Sequence, residues 1–252
     1  MYGLEGVTGG VELSIGQMDL PLKKGVSSSA AVCVLVASAF DRVYDLRLFS
    51  HEIMEIAYRG ERLTGSQCGR MDQACAFGKT PVLLTFAGEQ SIRVEPIFPA
   101  GRMWLFFVDL AGKKDTIKIL ADLQAAYDDS RSLQEALGAE NERIVRRAYR
   151  ALAEGDAQRL GSLMNQAQEI FDRKIAPHSP HQLASPLLHE LLALDDLRPH
   201  VWGGKGVGSQ GDGTAQFVAR SEADRDAAMA LIERRFATMR CFPLSIPAAS
   251  GR

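Results

Sequence analysis

The run Ala30–Phe40 (Ala-Ala-Val-Cys-Val-Leu-Val-Ala-Ser-Ala-Phe), set directly after the turn-forming stretch Pro21–Ser29, constrains the fold more than any other part of the chain. A helix over Ser29–Tyr44 would be apolar nearly all round and is expected to be buried on most of its faces. Eleven residues are far short of the ~20 that cross a bilayer, so the run reads as a core helix. The start of such a helix presents free backbone N–H groups and the positive end of the helix dipole. Gly25, Ser27, Ser28 and Ser29 stand just before it. Small residues let an anion approach the backbone, and the hydroxyls add donors or a metal ligand, which is how helix N-termini bind phosphate. A serine-rich cap in front of a buried helix explains the same residues.

Several classes are disfavoured by composition. A net charge of -2 gives no electrostatic reason to expect nucleic acid or an anionic membrane as a partner. Cys68 and Cys75 are seven apart, not a usual zinc spacing, and Cys33 and Cys241 stand alone; reduced thiols in a cytoplasmic protein are expected. The first residues, Met-Tyr-Gly-Leu-Glu-Gly, lack the basic and apolar regions of a signal peptide.

Alternation at Val11, Leu13 and Ile15 predicts a strand over Val11–Met18, and Ser50 is expected to cap a helix reaching Leu63. Gly65–Gly78 shows little periodicity. Strands are predicted at Val82–Phe86, Ile92–Ile97 and Met103–Leu110, with Pro99-Ala-Gly101 as the domain boundary between 1–99 and 100–252. Helices are expected over Thr116 to about Leu152, Ala157–Ile175 and Leu187–Leu194, with Pro177–Pro186 a loop. Val201–Gly213 is glycine-rich, followed by a strand from Thr214, a helix capped by Ser221 and a last strand near Cys241–Ile246. Strands and helices mix without a clean βαβ repeat, so the fold class is α+β.

Common nucleotide signatures fail here. Gly78-Lys79-Thr80 would end a Walker loop, but Gln73 stands where its first glycine belongs. Gly206-Val-Gly208-Ser-Gln-Gly211 fits G-x-G-x-x-G, yet a strand rather than a helix follows it. Three ordered segments do match a known family. Pro21-x-x-x-Gly25-Val26-Ser27-Ser28-Ser29-Ala30-Ala31 resembles the second motif of the GHMP kinases (galactokinase, homoserine kinase, mevalonate and phosphomevalonate kinase), with Val26 where the family usually has Leu. Cys68-Gly69-Arg70-Met71-Asp72-Gln73 resembles the Cys-Gly-x-Met-Asp-Gln segment of galactokinase-like sugar kinases. Gly204-Lys205-Gly206-Val207-Gly208-Ser-Gln-Gly211-Asp-Gly213 resembles, more loosely, the glycine-rich third motif.

The resemblance implies a two-lobed architecture: an N-terminal lobe like ribosomal S5 domain 2, here incomplete, and a ferredoxin-like C-terminal lobe. It implies ATP- and Mg²⁺-dependent transfer of a phosphoryl group to a small-molecule hydroxyl. Gly25 to Ala31 would cradle the nucleotide phosphates, and Ser29 would bind Mg²⁺. Glu61, eleven residues before Asp72, has the spacing of the partner Mg²⁺ carboxylate in mevalonate kinases; sugar kinases place it one residue earlier, at Gly60 here. Asp72 would accept or polarise the substrate hydroxyl proton. Gly204, Gly206, Gly208 and Gly211 would approach substrate or phosphate closely, and Lys205 would touch phosphate or only solvent.

The Cys68–Gln73 segment favours a galactokinase-, arabinokinase- or fucokinase-like sugar substrate, whereas the Glu61 spacing favours mevalonate. Solvated side chains are the plain reading of His178 and His181 and of the stripe Arg143, Arg146, Arg147 and Arg150. The family's first motif, which carries a basic residue near Asp72, has no counterpart in residues 1–20. The chain is therefore expected to begin late, through a misplaced start, a truncation or a short member serving as a ligand sensor, and to be a poor enzyme as written.

Overall fold

The computed structural model describes residues 10–17, 27–66, 68–78, 80–86, 88 and 92–249. The described residues fall into two compact units, the first ending at Gly78. The expected lobe boundary at residue 99 lies further along the chain, beyond a hairpin that groups with the second unit.

In the first unit α1 (Ser28–Tyr44) packs on α2 (Ser50–Leu63), and a single 3₁₀ helix (Asp72–Phe77) packs on both. Ala30, Val34 and Ala37 form the buried stripe of α1, and Met54, Ala57 and Glu61 that of α2. These positions repeat at three to four residues, so each helix turns one line of side chains inward. The expectation that α1 is buried on most faces is not met: Leu35 is 68% exposed and Val43 58%. Apolar residues lie all round α1, but α2 and the 3₁₀ helix cover one side of it. Residues 10–17 form no strand, and Met18 lies outside the described residues. Phe49, not Ser50, is the N-cap of α2; its N–H donates to Glu52 Oε2 at 2.8 Å, which satisfies one end of the helix from within.

The second unit opens with an antiparallel hairpin, β1 (Val82–Phe86) and β2 (Ile92–Pro96), paired from Val82↔Pro96 to Phe86↔Ile92. Strand β3 (Met103–Asp109) leads into helices α3 (Thr116–Tyr127), α4 (Arg131–Glu135), α5 (Asn141–Glu154), α6 (Ala157–Ile170), α7 (Pro180–Leu183) and α8 (Pro186–Leu192). Strands β4 (Val201–Gly206) and β5 (Thr214–Ala219), helix α9 (Glu222–Arg235) and strand β6 (Arg240–Ile246) complete it. The sheet order is β4-β5-β3-β6, every pair antiparallel. That is the split βαβ order of a ferredoxin-like unit, and the chain as a whole is α+β.

Differences from the sequence reading have local causes. The helix predicted from Thr116 is interrupted after Tyr127, where Ser130 Oγ accepts from Leu133 N–H at 3.2 Å and starts α4. It is interrupted again at Gly138, whose φ -96 and ψ -108 leave the helical region. The Pro177–Pro186 stretch is not a plain loop: Pro180 supplies a first helical turn for α7. Strand β4 lies within the glycine-rich stretch, where the low strand propensity of glycine gives no strand signal.

Alternation along β3 serves both faces of the sheet. Phe106, Val108 and Leu110 pack with Leu188 and Leu191 of α8, Phe217 of β5 and Ile232 of α9, and the Phe106 and Phe217 rings stack at 5.0 Å. Met103 and Leu105 pack the other way, against Ala151 of α5 and Leu160, Leu163 and Met164 of α6. Helix α6 approaches β4 backbone to backbone, since a Cβ built on Gly203 would stand 2.1 Å from the Gly161 carbonyl oxygen.

Candidate active site

Glu61 stands four residues after Ala57 and seven after Met54, on the buried stripe of α2. Its carboxylate is therefore drawn inward, leaving the residue 5% exposed. Two neutral groups hold it. Ser29 Oγ donates to Oε1 at 2.8 Å, and Gln73 Nε2 donates to Oε2 at 2.7 Å. Among the described residues no basic side chain lies within ion-pair distance of Glu61. Gln73 is fully buried at the start of the 3₁₀ helix, and its Oε1 has no hydrogen-bond partner among the described residues. A buried carboxylate with no cation beside it among the described residues is an electrostatic imbalance, which a bound cation would relieve.

Ser27 opens α1 in the left-handed region, at φ 57 and ψ 35, and makes no side-chain capping bond. That backbone is strained for a residue with a Cβ. The first turn of α1, with Ser28, Ser29, Ala30 and Ala31, is thus left without a side-chain cap. Gly25 and Val26 lie outside the described residues. Asp72 begins the 3₁₀ helix with an exposed side chain. The Cys75 thiol is pushed up first by burial and then by the nearby charges of Asp72 and Glu61, so one thiol feels both carboxylates. The fold brings Ser29, Glu61 and Gln73 together although they are far apart in sequence, and Asp72 adjoins Gln73 along the chain.

The glycine-rich segment divides in two. Gly204, Lys205 and Gly206 lie on β4 rather than in the expected loop. A Cβ on Gly204 would stand 2.4 Å from the Phe217 ring, and one on Gly206 2.7 Å from Gln210 Oε1, so packing accounts for both glycines. Lys205 Nζ donates to the Gly206 carbonyl, and burial pushes its pKa down. Gly208 (φ 61) and Gly211 (φ 69) sit in the turn 207–213 with left-handed backbone. A buried amide chain supports that turn: Gly206 N–H donates to Gln168 Oε1, and Gln168 Nε2 to Gln210 Oε1, both at 2.8 Å. Sequence reasoning missed Gln168, Gln210 and the amide role of Gln73, since no periodicity marks a buried glutamine.

Arg146, Arg147 and His178 have ordinary partners. Arg146 pairs with Glu142, Arg147 donates to Gln166, and His178 Nε2 meets Ser130 Oγ at 3.2 Å. The four cysteines are free, and no helix among the described residues is long and apolar enough to cross a membrane.

Residues 2–79 match the model for the GHMP kinases N terminal domain. The chain is 25% identical to a mevalonate kinase of Aeropyrum pernix over 60% of this chain and 46% of that one. It is 30% identical to a galactokinase of Actinobacillus succinogenes over 58% of this chain and 46% of that one. The matches thus span under half the length of either relative. Among solved structures, L. major mevalonate kinase in complex with R-mevalonate superposes with a TM-score of 0.72, at 22% identity, over 89% of this chain and 67% of that one. Lactococcus lactis galactokinase complexed with galactose gives a TM-score of 0.64, at 16% identity, over 92% and 68%.

Proposed function

We propose that the chain carries out ATP-dependent phosphoryl transfer to a hydroxyl of a small molecule, in the cytoplasm, with 1–99 contributing to the nucleotide lobe and 100–252 forming the second lobe. The observation that carries this reading is the contact of the exposed Ser29 hydroxyl with the buried Glu61 carboxylate, joined at 2.8 Å at the uncapped start of α1. The pair fits Mg²⁺. A hydroxyl and a carboxylate are the hard oxygen donors this cation takes, and neighbouring oxygens of an octahedral Mg²⁺ site lie about 2.9 Å apart. When bound, the cation would neutralise charge on the nucleotide phosphates. The N–H groups of the first turn of α1 would bind those phosphates, Gln73 would hold Glu61 in place, and Asp72 would take the acceptor proton.

A sugar acceptor is supported by the order Cys68-Gly-Arg-Met-Asp72-Gln73 and by likeness to a galactokinase. A mevalonate-type acceptor is supported by the placing of the metal carboxylate at position 61, where it reaches Ser29.

Calorimetric titration with ATP tests the reading. ATP with Mg²⁺ is expected to bind the wild-type chain, and Ser29→Ala to weaken it by about tenfold, the worth of a charge-assisted contact. ATP binding that ignores both Mg²⁺ and Ser29→Ala would sink the proposal. Gln73→Leu is expected to raise the Mg²⁺ needed for half-saturation by about tenfold, as loss of a ligand-orienting partner does. Its melting temperature should also fall, because the buried Glu61 Oε2 loses the Gln73 Nε2 donor, whereas added Mg²⁺ should restore part of the loss. An unchanged Mg²⁺ dependence would remove Gln73 from the site.

A further inference from the structure

The arginine stripe of α5 opens onto a single cleft. Arg143, Arg147 and Arg150 recur at four and three residues, so they share one side of the helix, and Arg146 flanks them. Ala148, Ala151 and Leu152 of the same helix pack into the core, which fixes the direction of the arginine side. Helix α6 lies alongside α5, and between them runs a cleft of about 310 Å³ lined by all four arginines. Ile144 and Ile170 give it an apolar part, and Gln166 a neutral polar one.

The charge in this cleft is not balanced from within. Arg146 pairs with Glu142 at 2.7 Å. Arg147 has only the neutral Gln166 Oε1, at 3.1 Å, and Arg143 only the Ala139 carbonyl oxygen, at 3.2 Å. Arg150 has no hydrogen bond or ion pair among the described residues. Glu140, the acid among the described lining residues, is already engaged: both its oxygens accept from Lys174 Nζ at 2.9 Å, and Arg143 acts on it only from further off. Elsewhere arginines meet carboxylates directly, as Arg59 meets Glu55, Arg131 meets Glu135 and Arg225 meets Glu222 and Asp226. Like charges three or four residues apart weaken a helix, so α5 carries this row against its own stability.

We propose that the α5–α6 cleft binds a small anion carrying two or more phosphoryl groups in series, held by Arg143, Arg147 and Arg150 with Gln166 Nε2 as a neutral donor. Guanidinium forks match phosphate oxygens two at a time. At about 1.5 Å per residue, Arg143 to Arg150 span about 10 Å of helix, longer than a single phosphoryl group. The cleft has the size of a small-ligand site, and a protein helix about 10 Å across would not enter it. The site is independent of the phosphotransfer reading, since none of its residues lies in the unit that carries Ser29 and Glu61.

Calorimetric titration of the full chain with tripolyphosphate, without Mg²⁺, tests the cleft. The wild type is expected to bind it, and Ser29→Ala to bind it within about twofold, as independent distant sites do. Arg150→Gln should weaken binding about tenfold, and the Arg147→Gln, Arg150→Gln double variant about a hundredfold, the worth of one and of two charge-assisted contacts. Arg235→Gln, which removes an exposed charge at the end of α9, should change binding less than about twofold. Arg150→Gln breaks no internal bond and relieves a repulsion, so its melting temperature should equal or exceed that of the wild type. Tripolyphosphate should raise the melting temperature of the wild type and not of the double variant. Displacement of the bound tripolyphosphate by ADP in Ser29→Ala assigns the cleft to a phosphate chain carried on a nucleotide, and its absence to a free one. The proposal is overturned if tripolyphosphate does not bind the wild type, if Arg150→Gln binds it as tightly, or if Arg235→Gln weakens it as much, which is general charge attraction. Binding lost in Ser29→Ala and intact in Arg150→Gln would also overturn it, placing the anion at α1 and leaving the phosphotransfer reading standing.

Discussion

Asp72→Asn is expected to lower phosphoryl transfer by about 10²–10⁴-fold, the usual worth of a positioned general base, while ATP affinity stays within about twofold. The amide keeps the size of the carboxylate and removes its ability to take a proton. Asp72 is exposed at the mouth of the 3₁₀ helix and has no side-chain partner among the described residues, so the exchange breaks no internal bond. Gln73, the next residue, points inward and anchors the turn, which fixes the direction of Asp72. A single-turnover assay with labelled ATP and excess protein measures the rate even where turnover is slow. An Asn variant within tenfold of wild type would rule Asp72 out as the proton acceptor.

The second large effect is structural. Gly203→Val is expected to destabilise the second unit by more than about 3 kcal/mol, the upper range for overpacking a core. The new Cβ would lie 2.1 Å from the Gly161 carbonyl oxygen and 2.7 Å from Asn165 Oδ1. Neither can yield cheaply. Asn165 Oδ1 accepts the Gly204 N–H at 2.9 Å, and α6 is held by buried Leu160, Leu163 and Met164. Urea unfolding should show a lower midpoint with an unchanged slope. A shift below about 1 kcal/mol would mean that α6 and β4 are not in backbone contact.

Much of this architecture was legible in the sequence. The bounds of α2 and β1, and the capping of α9 by Ser221, follow from periodicity and capping chemistry that act within a few residues. Strand β4 was hidden because its Gly203, Gly204 and Gly206 answer to Gly161, Phe217 and Gln210, partners distant in sequence. The single-sided burial of α1 was hidden too, since an apolar helix gives no sign of which neighbours it has. In the candidate site, Ser29, Glu61 and Asp72 were found through motif order. The link from Glu61 to Ser29 depends on helix rotation, and the bond from Gln73 on a buried turn, so only coordinates reveal them.

The 207–213 turn is tied at every corner. Val207 N–H bonds Thr214 O at 2.9 Å, Leu110 N–H bonds Gly213 O at 3.0 Å, and Gln210 N–H bonds Val207 O at 3.0 Å. Glycines make a segment floppy in an unfolded chain, yet this one has given up its conformational entropy by the time the unit has folded. Capture of a ligand there carries little ordering penalty, so its affinity should track contacts directly and vary weakly with temperature. The backbone amides of Val207 and Leu110 should accordingly exchange with solvent as slowly in the free protein as in the liganded one.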